Sequence, residues 1–165
     1  MPLTINPVSR ENIPTLCKLA KDIWNEYFPA ILPQPQITYM VEKYQSGPAI
    51  ERQIAHGYQY FFLEREAELI GYCGVQPQGD RLFLSKLYLK KEWRGKGYAG
   101  QAFRYLYRIA KEHNLTAVWL TVNRNNEIAI HAYEKQGFET VSEQKTDIGQ
   151  GFYMDDYVME KEIPS

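Results

Sequence analysis

The chain has 165 residues, 44% hydrophobic and 24% charged, a length and balance that suit one globular domain and exclude a disordered polypeptide. A formal net charge of −1 lacks the cationic excess that bulk nucleic-acid binding needs. No apolar run approaches the ~18 residues of a membrane span, and the first residues carry no signal-peptide core.

Leu3 to Pro7 reads as a short strand, and Ser9 as an N-cap with Glu11 or Asn12 assisting. Ile13, Leu16, Cys17, Ala20, Ile23 and Trp24 form a helical apolar stripe that ends at Tyr27-Phe28-Pro29. Ile31 to Gln36, with two prolines, reads as a loop. Ile37 to Gln45 and Pro48 to His56 read as helices broken at Ser46-Gly47-Pro48. Tyr58 to Arg65, Glu68 to Gln76 and Arg81 to Lys90 read as three successive antiparallel strands, the first two joined at Glu66-Ala67. A helix follows from Gly97 to His113, then a buried strand, Thr116 to Val122. Asn126 to Gln136 is a helix stopped by Gly137, followed by strands at Phe138 to Glu143 and Phe152 to Ile163. The order predicts one α/β (α+β) domain over residues 1–165: a central, mixed, mostly antiparallel sheet with helices on both faces. Cys17 and Cys73 lie in apolar segments without metal-like spacing and read as reduced core thiols of a cytoplasmic protein; no metal is expected.

The stretch with the most chemistry runs from Arg81 to Gly100. An apolar strand meets a basic turn (Lys90, Lys91, Arg94, Lys96) and a glycine-rich helix start at Gly95, Gly97 and Gly100. A helix start offers unsatisfied backbone N–H groups and the positive end of its dipole, and glycines let a phosphate approach them. Gly95 to Gly100 matches GxGxxG, the dinucleotide fingerprint. That fingerprint turns directly from its strand and needs an acidic residue at the end of the next one. Here Lys90 to Arg94 intervene, and the next strand ends in Val122-Asn123-Arg124. A P-loop would need Lys-Ser/Thr after the glycines, and none is present.

Arg94-Gly95-Lys96-Gly97-Tyr98-Ala99 resembles instead the Arg/Gln-x-x-Gly-x-Gly/Ala motif of the GCN5-related N-acetyltransferase (GNAT) superfamily. Downstream, Asn126-Glu127-Ile128-Ala129, then Tyr133, then Gly137-Phe138 resemble its second signature. The order of elements agrees along essentially the whole chain.

The resemblance implies an acetyl-CoA-dependent N-acetyltransferase of GNAT-type fold. The cofactor's pyrophosphate would rest on backbone N–H groups of Arg94, Gly95, Lys96, Gly97, Tyr98 and Ala99. Its pantetheine would pair with the backbone of Leu87, Tyr88 and Leu89, where the family's fourth strand splays from the fifth. Asn126 would reach the pantetheine arm, and Tyr133, two helical turns on, would protonate the leaving thiolate. A tyrosine, with a reference pKa of about 10, is neutral at pH 7 and can donate. Many family members use a glutamate near the fourth strand as base, but no carboxylate lies between Leu82 and Leu89. Glu26, Asp155, Asp156 and a water chain are the candidates. The family's acceptor groove maps to Tyr27, Phe28, Pro29, Tyr39 and the region Phe152 to Tyr157, which resembles members that acetylate small amines such as polyamines. Strand alternation puts Asp155 and Tyr157 on one face and Asp156 on the other. A small-molecule amine acceptor is expected, with a peptide or protein amine, or a non-catalytic acyl-CoA sensor, as alternatives. No nucleic-acid or membrane partner is expected. The final strand, if exposed, offers an edge for a homodimer.

Overall fold

The computed structural model describes residues 2–164. In chain order its main elements are β1 (Thr4–Pro7), α1 (Ile13–Tyr27), α2 (Gln34–Gln45), α3 (Gly47–Ala55), β2 (Gln59–Arg65), β3 (Glu68–Gln78), β4 (Arg81–Leu89), α4 (Tyr98–Glu112), β5 (Ala117–Asn123), α5 (Glu127–Lys135), β6 (Glu139–Gly149) and β7 (Phe152–Glu162). The strands form a seven-stranded mixed sheet, in which β4–β5 is parallel and β1–β2, β2–β3, β5–β7 and β6–β7 are antiparallel. The α/β class and the mixed, mostly antiparallel sheet are those expected from the sequence. The chain divides into two compact units, Met1–Gln76 with Lys86–Tyr105, and Pro77–Ser85 with Leu106–Ser165.

In the first unit the strand order is β1-β2-β3-β4. The α1 stripe (Ile13, Leu16, Leu19, Ala20, Ile23) and Ile50 of α3 pack on Tyr60, Phe62 and Tyr72. Leu16, Ile50 and Tyr72 are fully buried. Removing such an aliphatic side chain from water is worth about 1.5–3 kcal/mol. On the opposite face of β2, Phe61 meets Tyr105 of α4 edge-on at 5.4 Å, so helices cover both faces here. Alternation along β2 produces the two layers. The β2–β3 turn holds Glu66 and Ala67 at φ 52° and 66°, left-handed geometry without a glycine.

In the second unit the first residues of β4 pair with β5, and the order continues β5-β7-β6. β5 and β7 pair along their length, from Ala117↔Glu162 to Asn123↔Asp156. Lys161 of β7 donates from Nζ to the Gln136 carbonyl at 2.5 Å and lies 4.3 Å from the Tyr107 ring, which fixes the end of α5.

Three expectations need correction. The segment Ile31 to Gln36 is not all loop: α2 starts at Gln34 after an extended Pro33, with Pro35 in the first turn, where a missing N–H costs nothing. The strand expected to stop at Glu143 runs to Gly149, because cross-strand pairs such as Lys145↔Asp155 and Asp147↔Tyr153 order its polar half. The final strand is not an edge. β7, with Val158 and Met159 buried, lies between β5 and β6, and the edge is β6, exposed from Glu139 to Asp147.

Candidate active site

In the first unit, β4 leads through a short 3-10 turn (Lys91–Trp93) into α4. Gly95 and Gly97 have φ of 73° and 86°, and a Cβ placed on either would meet nothing within 4 Å. The glycines are therefore there for conformation, and the space above them is open. The Arg94 N–H bonds back to the Lys91 carbonyl at 3.3 Å, and the Gln101 N–H closes on the Gly97 carbonyl at 3.3 Å. The N–H groups of Tyr98, Ala99 and Gly100 thus precede the first i→i−4 bond of α4. Replacing Gly97 by alanine should cost about 1 kcal/mol by forcing a Cβ into left-handed backbone. Urea unfolding would register this as a lower midpoint at unchanged slope.

The Arg94 side chain anchors this turn. Its Nε donates to the Leu89 carbonyl at 3.0 Å, its Nη atoms donate to both Glu26 carboxylate oxygens at 3.2 and 2.6 Å, and its guanidinium lies 4.7 Å from the Tyr27 ring. Lys96 Nζ stands 5.7 Å from the Trp93 ring, which meets Tyr98 edge-on. The Tyr88 side chain packs edge-on to Trp24 and Phe28, at 5.7 and 6.0 Å, and against Tyr72 at 5.6 Å. Its neighbours Leu87 and Leu89 flank it on the same strand. Phe28, expected in an acceptor groove, is a core residue at 5% exposure. Tyr39 receives a 3.4 Å hydrogen bond from Lys43 on its hydroxyl.

Lys86 on β4 is buried. Its Nζ donates to the Tyr44 carbonyl at 2.8 Å, to Gln53 Oε1 at 2.9 Å and to the Tyr60 hydroxyl. All three acceptors are neutral groups. Burial pushes its ammonium down to about 7, because a cation loses hydration there. Burial likewise raises the Cys17 thiol, and takes Cys73 up to about 12, so both cysteines are held as thiols.

In the second unit the parallel β4–β5 ladder covers three residue pairs, Arg81↔Ala117 to Phe83↔Trp119, while β5 continues to Asn123. Asn126 is the buried N-cap of α5, its Oδ1 accepting from the Ala129 N–H at 3.3 Å. Tyr133 is half-buried on α5, 5.9 Å from the Phe138 ring. Asp155 and Tyr157 do share a face: Arg124 donates to Asp155 at 3.3 Å, to the Tyr157 hydroxyl at 3.1 Å and to Glu143 at 2.5 Å. Asp156 points the other way and is 4% exposed. Burial, helped by neighbouring Asp155, raises its carboxyl to about 6.

A family model described as Acetyltransferase (GNAT) family matches residues 18–138. The chain belongs to the GNAT acetyltransferase family. Over its full length this GNAT chain is 25% identical, across 170 aligned residues, to all of the spermidine N(1)-acetyltransferase of Thermoplasma acidophilum. A Bacillus subtilis relative, named for N-acetylation of the alanine of ribosomal protein bS18, is 29% identical over 90 residues. That match takes in 54% of the GNAT chain and only 58% of the relative's length. The crystal structure of the PaiA N-acetyltransferase from Thermoplasma acidophilum in complex with coenzyme A superposes with a TM-score of 0.82 at 23% identity, covering 98% of this chain and 99% of that one. The fold is therefore the GNAT fold.

Sequence reasoning saw Lys86 only as the absence of a carboxylate. Its signal was present: a cation in the middle of the largely apolar strand RLFLSKLYL, five residues from the only other one, Arg81. It missed the Arg94–Glu26 pair because that contact joins residues 68 apart.

Proposed function

We propose that this GNAT protein, as a single N-acetyltransferase domain over residues 1–165, moves an acetyl group from acetyl-CoA directly to a primary amine of a small, polyamine-like cation. The observation that carries the reading is the open, left-handed Gly95/Gly97 turn at the start of α4. A pyrophosphate there would meet the amides of Gly95, Lys96, Gly97, Tyr98 and Ala99 and the dipole of a 15-residue helix, while the Arg94 N–H, also expected to serve it, bonds to the Lys91 carbonyl. Lys90, Lys91 and Lys96 add charge. The backbone of Leu87, Tyr88 and Leu89 would receive the pantetheine, which the short β4–β5 ladder supports. Asn126 would face the pantetheine arm and Tyr133 the sulfur. Helix α5 has no buried residue among those described, and Ile128 is 77% exposed, as suits a helix with an apolar flank left for a ligand.

In the reaction the amine nitrogen bonds to the acetyl carbon, the carbon–sulfur bond breaks, and the thiolate takes the Tyr133 proton. The nitrogen's surplus protons go to Tyr133 and to a base. The raised cysteine thiols favour this direct route over an acyl-cysteine. The full-length match to a spermidine acetyltransferase and the buried carboxylate of Asp156 on β7, unlike Glu143 and Asp155 not taken by Arg124, support a cationic small molecule. The Bacillus subtilis relative keeps a protein amine as the second reading. The exposed edge of β6, with Val141 56% exposed, would serve a homodimer. No helix among the described residues is long and apolar enough to cross a membrane.

Thermal unfolding with acetyl-CoA, CoA and NAD tests the cofactor. Ligand at 100 times its Kd adds about 2.7 kcal/mol, a rise of roughly 5–10 °C for a chain this size. Acetyl-CoA and CoA should both raise Tm, and NAD should not; no shift with either CoA species refutes the reading. Spermidine acetylation in preference to a peptide with an N-terminal alanine supports the first acceptor class, and the reverse the second. Binding without transfer to either marks a sensor.

A further inference from the structure

We propose that Asp156 is the carboxylate that receives the acceptor's ammonium and takes its proton. The inference rests on the acetyl-transfer reading and names the base that reading leaves open. Of the three acids the sequence offers, two are engaged. Glu26 holds the Arg94 guanidinium through both oxygens, and Asp155 accepts from Arg124. Asp156 Oδ2 is buried and has no hydrogen-bond partner among the described residues. An unpaired buried carboxylate oxygen is costly, and native structures rarely keep one without a bound water, an ion, a ligand or a function.

Its surroundings define what would fit. Across the sheet Asp156 pairs with Asn123 of β5 and Gln144 of β6, both neutral. On its own strand its charged neighbour is Asp155. Arg124, next to Asn123, is turned to Asp155, Tyr157 and Glu143 on the other face. On β6, Lys145 pairs in register with Asp155, and its Nζ lies 5.0 Å from the Tyr153 ring. The protein thus supplies neutral groups and negative charge around Asp156, and the complement is a cation that can donate hydrogen bonds. A primary ammonium is one, and it must lose a proton before it can attack. Transfer of that proton to Oδ2, directly or through one water, frees the nitrogen lone pair. The balance is R–NH3+ plus acetyl-S-CoA giving R–NH–acetyl, CoA–SH and one proton, which Asp156 passes to solvent. The burial that raises this carboxyl to about 6 also narrows its gap in proton affinity to the amine.

The test compares wild type, Asp156→Asn and Asp156→Glu, with spermidine as acceptor, from pH 5 to 9. Asp156→Asn should lower kcat/KM by about 100-fold or more and abolish the acid limb near pH 6. It should leave the acetyl-CoA thermal shift intact. Its ligand-free Tm at pH 8 should equal or exceed that of wild type, because a buried charge has gone. Asp156→Glu should recover part of the rate with a displaced acid limb. Wild-type rates and an unchanged pH profile in Asp156→Asn overturn the proposal, as does a lowered Tm, which marks a structural carboxylate. If wild type acetylates neither spermidine nor any other amine, the acetyl-transfer reading itself fails, an outcome distinct from an active wild type with an equally active Asp156→Asn.

Discussion

Tyr133→Phe is expected to lower kcat for acetyl transfer by about 100-fold, with the acetyl-CoA thermal shift unchanged. A positioned general acid contributes typically ~10²–10⁴-fold, and the low end applies because a thiolate leaves readily. The substitution isolates the hydroxyl. The Tyr133 ring rests 5.9 Å from Phe138, a contact phenylalanine keeps. The backbone carbonyl of Tyr133 accepts from the Gln136 and Phe138 N–H groups, which closes α5 and opens β6. Stability should therefore fall by no more than the ~1 kcal/mol that one hydrogen bond contributes. Stopped-flow and steady-state assays at saturating acetyl-CoA would measure the effect. An unchanged kcat would remove Tyr133 as the acid and leave the thiolate to be protonated by solvent.

Lys86→Met should change how stability depends on pH. The Lys86 ammonium falls from an ordinary 10.5 to about 7 in the folded chain. Between these values the unfolded state binds more protons, so stability rises with pH through that window; below about pH 7 the full cost is present. From pH 7 to pH 9 the contribution amounts to about 2 kcal/mol. The methionine variant has no such group, so its urea midpoint should climb less over the same interval. It also leaves the Tyr44 carbonyl without the Lys86 donor, which costs about 1–3 kcal/mol at every pH. The difference in slope is therefore the informative quantity. Parallel pH profiles for the two proteins would show that Lys86 keeps its charge when buried.

The sheet, its helices and the position of the glycine turn could be read from local pattern, because period and turn chemistry are properties of neighbouring residues. The α1 stripe, the β2–β3 hairpin and the helix stop at Gly137 all stand where alternation, turn residues and a left-handed cap put them. The end of β6 did not, since Lys145 to Gly149 is polar and becomes strand only through its pairing with β7. The final strand read as an outer one because nothing in its own residues says that it inserts between β5 and β6. The motif residues were visible as a pattern. The engagement of Arg94 with Glu26 was not.

By itself the sequence determined the α/β class, the strand-turn-helix built on Gly95 and Gly97 and the GNAT signatures, because backbone conformation and motif spacing are written within a few dozen consecutive residues. Only the tertiary structure decided the fate of the charges. It paired Glu26 with Arg94 and Asp155 with Arg124, buried Lys86 among neutral acceptors, and left an oxygen of Asp156 without a partner among the described residues. The physical reason is that the proton affinity of a charged side chain depends on how much water it has lost and which groups approach within a few ångströms. Those groups come from segments far apart in the chain, such as Glu26 and Arg94, or Arg124 and Asp155.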